Sequence, residues 1–249
     1  MFYPKAILFD LDDTIVDFST SSSIAWQKVS EEFVNKYPVG FTAEELFKTI
    51  DATRYHFWTN LYQGKIKRDH SISETCQMLQ GVLKLMDYPD LSKACEMAES
   101  FNKFYFQSLV IFKGAIETLE KIQALGIRMA LITNGESQKQ RTQLECLNLE
   151  RFFEIILIDT ELGFSKPDSR IFKLALEKLA LAPEEVWMVG DSLTNDIFGA
   201  QKLGIYSIWH DFKNQGLANN SAVVPDIIIN SISELLKFLP DKPMASPVS

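Results

Sequence analysis

The stretch Ala6-Ile7-Leu8-Phe9-Asp10-Leu11-Asp12-Asp13-Thr14 constrains this chain more than any other. Four apolar residues in a row read as a buried strand of a parallel sheet, because such strands are covered on both faces. The run then stops at Asp10, Asp12 and Asp13, followed by the Thr14 hydroxyl. Carboxylates crowded at the end of a buried strand repel one another and lose hydration, so something has to compensate them. A divalent cation with hard oxygen ligands is the usual compensation, and Mg²⁺ is the common choice beside phosphate. Taken alone, the cluster reads equally well as a solvated acidic turn. Later segments decide between the two.

After Thr14 the apolar spacing changes from strand to helix and stays helical to about residue 107. Ile24, Trp26, Val29, Phe33 and Val34 form one apolar helical face, ended by Pro38-Val39-Gly40. Thr42 with Glu45, and Ser71 with Glu74, have the spacing of capping boxes. Phe57, Trp58, Leu61 and Tyr62 carry the pattern to Gly64, and Cys76, Met78, Leu79, Val82, Leu83 and Leu85 resume it. Pro89-Asp90 breaks it again before a last helix from about Leu91 to Phe106. Residues 17–107 therefore read as an all-helical domain inserted after the first strand.

The second half alternates strands and helices. Expected strands are Arg128–Ile132, Ile155–Ile158, Val186–Val189, Ile205–Trp209 and Asp226–Ile229. Expected helices are Ala115–Leu125, one through Gln140 and Leu144, Asp168–Leu179, Ile197–Leu203 and a closing one around Leu235–Leu239. The tail from Pro240 to Ser249 is rich in Pro and Ser and is expected to be mobile. Such alternation implies an α/β fold, a doubly wound parallel sheet with helices on both sides. Ligands on such sheets bind beyond the carboxyl ends of the strands, where strand order reverses. Three strands here end in polar groups: Asp10-Leu11-Asp12, Thr133-Asn134-Gly135 and Gly190-Asp191. Nothing in sheet building demands that, so the three ends read as one site.

Composition narrows the function classes. A net charge of −8 over 249 residues argues against a nucleic-acid surface, which needs a basic face. It leaves room for a small phosphorylated substrate, since a local metal and a lysine can reverse the field within one cleft. No window approaches a membrane span, and no basic stretch precedes a long apolar region at the N-terminus. Cys76, Cys95 and Cys146 are odd in number and lack paired or metal-type spacing, so buried free thiols in a reducing cytoplasm are expected.

With these segments in order, the chain resembles the haloacid dehalogenase-like hydrolases, in particular their phosphatase branch with a small helical cap. Four short motifs carry the resemblance: Asp10-Leu11-Asp12-Asp13-Thr14, Thr133-Asn134-Gly135, Lys166-Pro167, and Gly190-Asp191-Ser192-Leu193-Thr194-Asn195-Asp196. It implies a core over residues 1–16 and 108–249 and a cap over residues 17–107. It further implies a Mg²⁺-dependent phosphomonoester hydrolase working through an aspartyl-phosphate.

Asp10 is then the nucleophile and Asp12 the general acid, later the base that activates water. Thr133 and the backbone amides at Asn134 and Gly135 hold phosphoryl oxygens, and Lys166 neutralises phosphate and nucleophile. The metal falls to Asp10, the Asp12 carbonyl and Asp191, with Asp196 one shell out, orienting Lys166 or a metal-bound water. The implied partner is a small phosphorylated metabolite, a nucleoside monophosphate or sugar phosphate, handled by a monomer or weak homodimer. A phosphosugar mutase uses the same core. A receiver-like phosphate-binding signalling domain is a reading from another class, which the helical insertion disfavours. The cap segment from Phe57 to Gly64 is similar to that of pyrimidine 5′-nucleotidases and acylneuraminate phosphatases.

Outside the motifs the readings are structural. His56, His70 and His210 lack metal spacing and are expected at the surface or in the core. Trp26, Phe33, Tyr55, Phe57, Trp58 and Tyr62 are expected to pack a helical core. Arg54, Lys65, Lys67 and Arg68 read as a solvated face within reach of an anionic group.

Overall fold

The structure is a computed structural model that describes residues 3–61 and 72–242, with the side chains of 55 and 58–61 outside the description. The readings of Tyr55, Trp58, Tyr62, Lys65, Lys67, Arg68, His70 and the Ser71 capping box therefore lie outside the described residues, as does the tail from 243. The chain divides into two compact units, residues 1–17 with 111–249 and residues 18–110.

The first unit opens with β1 (Ala6–Phe9), and all four of its side chains are fully buried. Ala6 and Leu8 face one side of the sheet and Ile7 and Phe9 the other, the two-residue period of a strand covered twice. The other unit supplies α1 (Phe18–Lys36), α2 (Ala43–Leu61), α3 (Ile72–Leu85) and α4 (Lys93–Gln107). The chain then returns through α5 (Ala115–Ala124), β2 (Arg128–Thr133), α6 (Ser137–Cys146), β3 (Ile155–Ile158), α7 (Asp159–Leu162) and α8 (Ser169–Leu179). It closes with β4 (Val186–Gly190), α9 (Phe198–Gln201), β5 (Tyr206–His210) and β6 (Ile227–Ile229).

The six strands form one sheet in the order β3-β2-β1-β4-β5-β6, every pair parallel. This is the doubly wound order. The chain builds outward from β1 on one side and then restarts at β4 on the other, so the switch point lies between β1 and β4. Helix α8 shows why the layers close. Ile171, Phe172, Ala175, Leu176 and Leu179 make one apolar stripe, packed on Ala6, Leu8, Ala130, Ile132 and Met188. Asp168 caps that helix by accepting from the Arg170 N–H at 2.9 Å.

In the helical unit Trp26 stacks on Phe101 with ring centroids 4.0 Å apart, and Phe33 packs among Tyr37, Phe41 and Tyr88. The Thr42–Glu45 capping box forms in both directions: Glu45 N–H donates to the Thr42 hydroxyl at 3.2 Å, and Thr42 N–H donates to the Glu45 carboxylate at 2.7 Å. Arg54 is partly exposed and also held: it pairs with Asp51 at 2.7 Å and donates to the Ser22 hydroxyl at 3.1 Å.

The cysteine reading needs correction. Cys76 and Cys95 form a disulfide between α3 and α4, their Cα atoms 4.6 Å apart, and the free Cys146 is exposed. Spacing along the chain could not reveal the pair, because two packed helices bring together residues 19 positions apart. Cysteine usage therefore gives no support to a reducing compartment. Among the described residues, no helix is long and apolar enough to cross a membrane.

Two helices also differ from expectation. The segment expected as Ile197–Leu203 begins earlier, as a π-helical turn at Leu193–Ile197 that runs into α9. The closing helix is a 3₁₀ helix over Ile232–Phe238.

Candidate active site

Asp10 follows β1, and its N–H still donates to the Val189 carbonyl at 2.9 Å, so the sheet ladder fixes it at the switch point. Beyond it the chain turns tightly. The N–H groups of Thr14, Ile15 and Val16 converge on the Leu11 carbonyl at 3.4, 2.9 and 3.0 Å. Asp13 takes a positive φ of 60°, a conformation that aspartate tolerates better than most side chains. His210, at the end of β5, secures the turn by donating from Nδ1 to the Asp13 carbonyl at 3.1 Å. A carbonyl can only accept, so Nδ1 carries the proton. Burial favours the neutral ring and pushes the His210 pKa below its ordinary value, against the bond to Asp13, which raises it. His210 is a core residue packed on Phe112 and Phe212.

The Asp10 carboxylate is almost fully buried and is held at both oxygens. Lys166 donates to Oδ1 at 2.5 Å, and the Thr14 hydroxyl donates to Oδ2 at 3.2 Å. Lys166 also lies 2.7 Å from Asp196 Oδ1. Burial alone would lower the pKa of the Lys166 ammonium, but the charges of Asp10 and Asp196 outweigh it and raise the pKa above its ordinary value. The opposite balance holds at Asp196, where desolvation pushes the carboxyl up to about 7 against the pull of Lys166, with repulsion from Asp10 and Asp191 adding to the rise.

The π-helical turn sets Asp196 in place. The N–H groups of Asp196 and Ile197 both donate to the Ser192 carbonyl, at 2.9 and 3.2 Å. Asp196 Oδ2 in turn accepts from the Ser192 N–H at 2.9 Å. One extra residue in the turn thereby aims the carboxylate at Lys166, a common use of such bulges at functional sites. Asp191 leaves β4 beside it, and its carbonyl accepts from the Trp209 indole at 2.7 Å.

Carboxylate oxygens of Asp10, Asp191 and Asp196 lie within 4.8 Å of one another. Lys166 pairs with two of these three carboxylates, so the cluster carries an excess of negative charge in a largely dehydrated place. All donors are hard oxygens, so the residues fit a hard divalent cation.

The Thr133-Asn134-Gly135 loop is arranged differently from expectation. The Asn134 side chain clamps Lys166, accepting from its N–H and donating to its carbonyl, both at 2.9 Å. The Gly135 N–H, expected to face a phosphoryl oxygen, donates instead to buried Asp159 at 2.8 Å, and the Gly135 carbonyl accepts from Thr160 at 2.8 Å. A carboxylate at the start of α7 is the stronger acceptor and claims that amide. The Thr133 hydroxyl donates to Gln140 Oε1 at 3.0 Å. Asp12 stands apart from the carboxylate cluster: its Oδ2 accepts from Gln140 Nε2 at 3.0 Å and its Oδ1 from Gln143 Nε2 at 2.8 Å.

Gln140, Gln143, Asp159 and Trp209 were not singled out from the sequence as site residues. A signal existed for the first two. They occupy fully buried positions on one face of α6 beside Leu144, where an amphipathic helix would carry apolar residues.

A doubly wound α/β unit with a lysine bridging aspartates at its switch point, interrupted by a helical unit, defines the class of protein. Residues 7–210 match the family model described as haloacid dehalogenase-like hydrolase. A glyceraldehyde 3-phosphate phosphatase of Pyrococcus furiosus is 31% identical, over 94% of this chain and 92% of its own. The pyrimidine 5′-nucleotidase YjjG of Escherichia coli is 26% identical, over 94% and 96%. Among solved structures, the HAD-hydrolase YfnB of Bacillus subtilis bound to magnesium superposes with a TM-score of 0.77 at 23% identity, covering 96% of this chain and 99% of that one. The chain belongs to the haloacid dehalogenase-like hydrolase family.

Proposed function

We propose that this chain is a Mg²⁺-dependent phosphatase that hydrolyses a small phosphorylated metabolite through an aspartyl-phosphate on Asp10. One observation carries the reading: a buried carboxylate at the switch point, with a lysine 2.5 Å from one oxygen and a hydroxyl 3.2 Å from the other. Related proteins, one named a glyceraldehyde 3-phosphate phosphatase and one a pyrimidine 5′-nucleotidase, support the substrate class.

In the first half-reaction an Asp10 carboxylate oxygen forms a bond to phosphorus as the bond to the leaving oxygen breaks. Asp12 gives its proton to the departing alkoxide. In the second, Asp12 takes a proton from water, the water oxygen bonds to phosphorus, and the bond to Asp10 breaks, restoring the carboxylate and releasing phosphate. Lys166 supplies positive charge to the phosphoryl oxygens, with the Asn134 backbone N–H as a further donor. Asp10, Asp191 and the Asp12 carbonyl would hold Mg²⁺, and Asp196 keeps Lys166 directed at Asp10. When bound, the cation draws charge from the phosphoryl oxygens and keeps the carboxylates from repelling the substrate.

The test is release of inorganic phosphate from p-nitrophenyl phosphate and a panel of triose phosphates, sugar phosphates and nucleoside monophosphates, ranked by kcat/KM. Asp10→Asn should abolish release while circular dichroism shows an intact fold. Substantial residual turnover would refute the nucleophile assignment.

A further inference from the structure

Helix α6 carries a feature that turnover through Asp10 and Lys166 does not explain. Gln140 and Gln143 are both fully buried. An amide taken out of water without partners is destabilising, whereas leucine or methionine would fill the same space favourably. Both amides are spent on one carboxylate. Gln143 Nε2 donates to Asp12 Oδ1 at 2.8 Å, Gln140 Nε2 donates to Oδ2 at 3.0 Å, and the Thr133 hydroxyl holds Gln140 Oε1 at 3.0 Å. Positions three apart on a helix share a face, so α6 presents the two amides side by side. The acceptor-only Asp12 carboxylate fixes which end of Gln140 faces it: the NH₂ end points at the carboxylate, and the carbonyl end accepts from the Thr133 hydroxyl.

We infer that Gln140 and Gln143 are positioning residues that lock the rotamer of Asp12, so that its carboxyl meets the leaving oxygen in one orientation. The inference rests on the general acid–base reading of Asp12 given above. The amides hold Asp12 without adding a charge. A carboxyl turned by one bond rotation moves its oxygens by more than 1 Å, roughly the error that costs a reaction about a hundredfold. The Thr133 hydroxyl has one proton, and giving it to Gln140 Oε1 anchors the chain of bonds that ends at Asp12.

The experiment exploits the leaving group. p-Nitrophenolate departs without a proton, whereas an alkoxide needs one. Loss of acid catalysis therefore lowers kcat/KM for an alkyl phosphate far more than for p-nitrophenyl phosphate, and a merely structural defect lowers both alike. We would measure kcat/KM on p-nitrophenyl phosphate and glycerol phosphate for wild type, Gln140→Met, Gln143→Met and the double variant, with Asp12→Asn as reference. Gln140→Asn and Gln143→Asn, which keep the polarity but withdraw the donor by one methylene, stand in for any methionine variant that fails to fold.

Each single variant should skew the alkyl-to-aryl ratio by about tenfold or more, in the direction of Asp12→Asn, and the double variant should approach Asp12→Asn itself. If Asp12→Asn skews the ratio and the glutamine variants do not, the inference is overturned and the acid–base reading stands. If Asp12→Asn leaves the ratio unchanged, that reading fails, and the inference falls with it.

Discussion

Gly190→Ala tests how tightly the site is assembled, because the perturbation is a single methyl group. A Cβ at position 190 would lie 2.4 Å from Asp196 Cγ and Oδ2 and 2.5 Å from its Cβ. Ordinary carbon contacts begin near about 3.5 Å, so the overlap is roughly 1 Å. Asp196 cannot swing clear, because Oδ2 accepts from the Ser192 N–H and Oδ1 lies 2.7 Å from Lys166. Either β4 shifts or the carboxylate moves and Lys166 loses one of its two anions. Overpacking typically costs about 1–3 kcal/mol, and complete loss of one partner from a buried ion pair about 3–5 kcal/mol; with one or the other occurring and partly relaxed, the expected cost is about 2–4 kcal/mol. A displacement of about 1 Å at a residue that orients Lys166 should also lower kcat by about a hundredfold. Urea unfolding reads the first number and initial rates on p-nitrophenyl phosphate the second. A variant within about 0.5 kcal/mol of wild-type stability and within about twofold of its kcat would refute the reasoning, since one methyl could not then be colliding with a rigid Asp196.

Three further outcomes are expected. EDTA should stop turnover and Mg²⁺ restore it; an enzyme indifferent to the chelator would rule out the metal reading of Asp10, the Asp12 carbonyl and Asp191. Trp209→Phe removes the indole donor that holds the Asp191 carbonyl at 2.7 Å. Loss of about 1 kcal/mol there should weaken Mg²⁺ activation by about fivefold, read from an activity titration, and an unchanged titration would remove Trp209 from the site. Gly81→Ala lies within α3 where an added Cβ meets nothing within 4 Å, so it should stabilise the helical unit by about 0.5–1 kcal/mol in a thermal melt. A fall in melting temperature would mean that the position is not open.

Much of the architecture was legible in the residues. A fully apolar strand, a block of helical spacing and then alternating strands and helices determine the layers, because burial on one or two faces leaves a period in the sequence. The site was legible at its anchor points for a related reason. Polar residues placed where buried strands end have no role in building a sheet, and Asp10, Lys166, Asp191 and Asp196 do gather at the β1–β4 switch point. Partnerships were not legible. That Asn134 would clamp Lys166, that Asp159 would take the Gly135 amide, and that Cys76 would meet Cys95 each depends on where distant segments lie in space.

The sequence by itself determined which groups are present, the layered fold that carries them, and the strand ends from which they project. Tertiary structure alone decided which hydrogen bond each group makes. Position along the chain governs local geometry. A donor's choice among several acceptors is settled by differences of a few tenths of an ångström between segments far apart in sequence, as for Asp12 and the two glutamines more than a hundred residues beyond it.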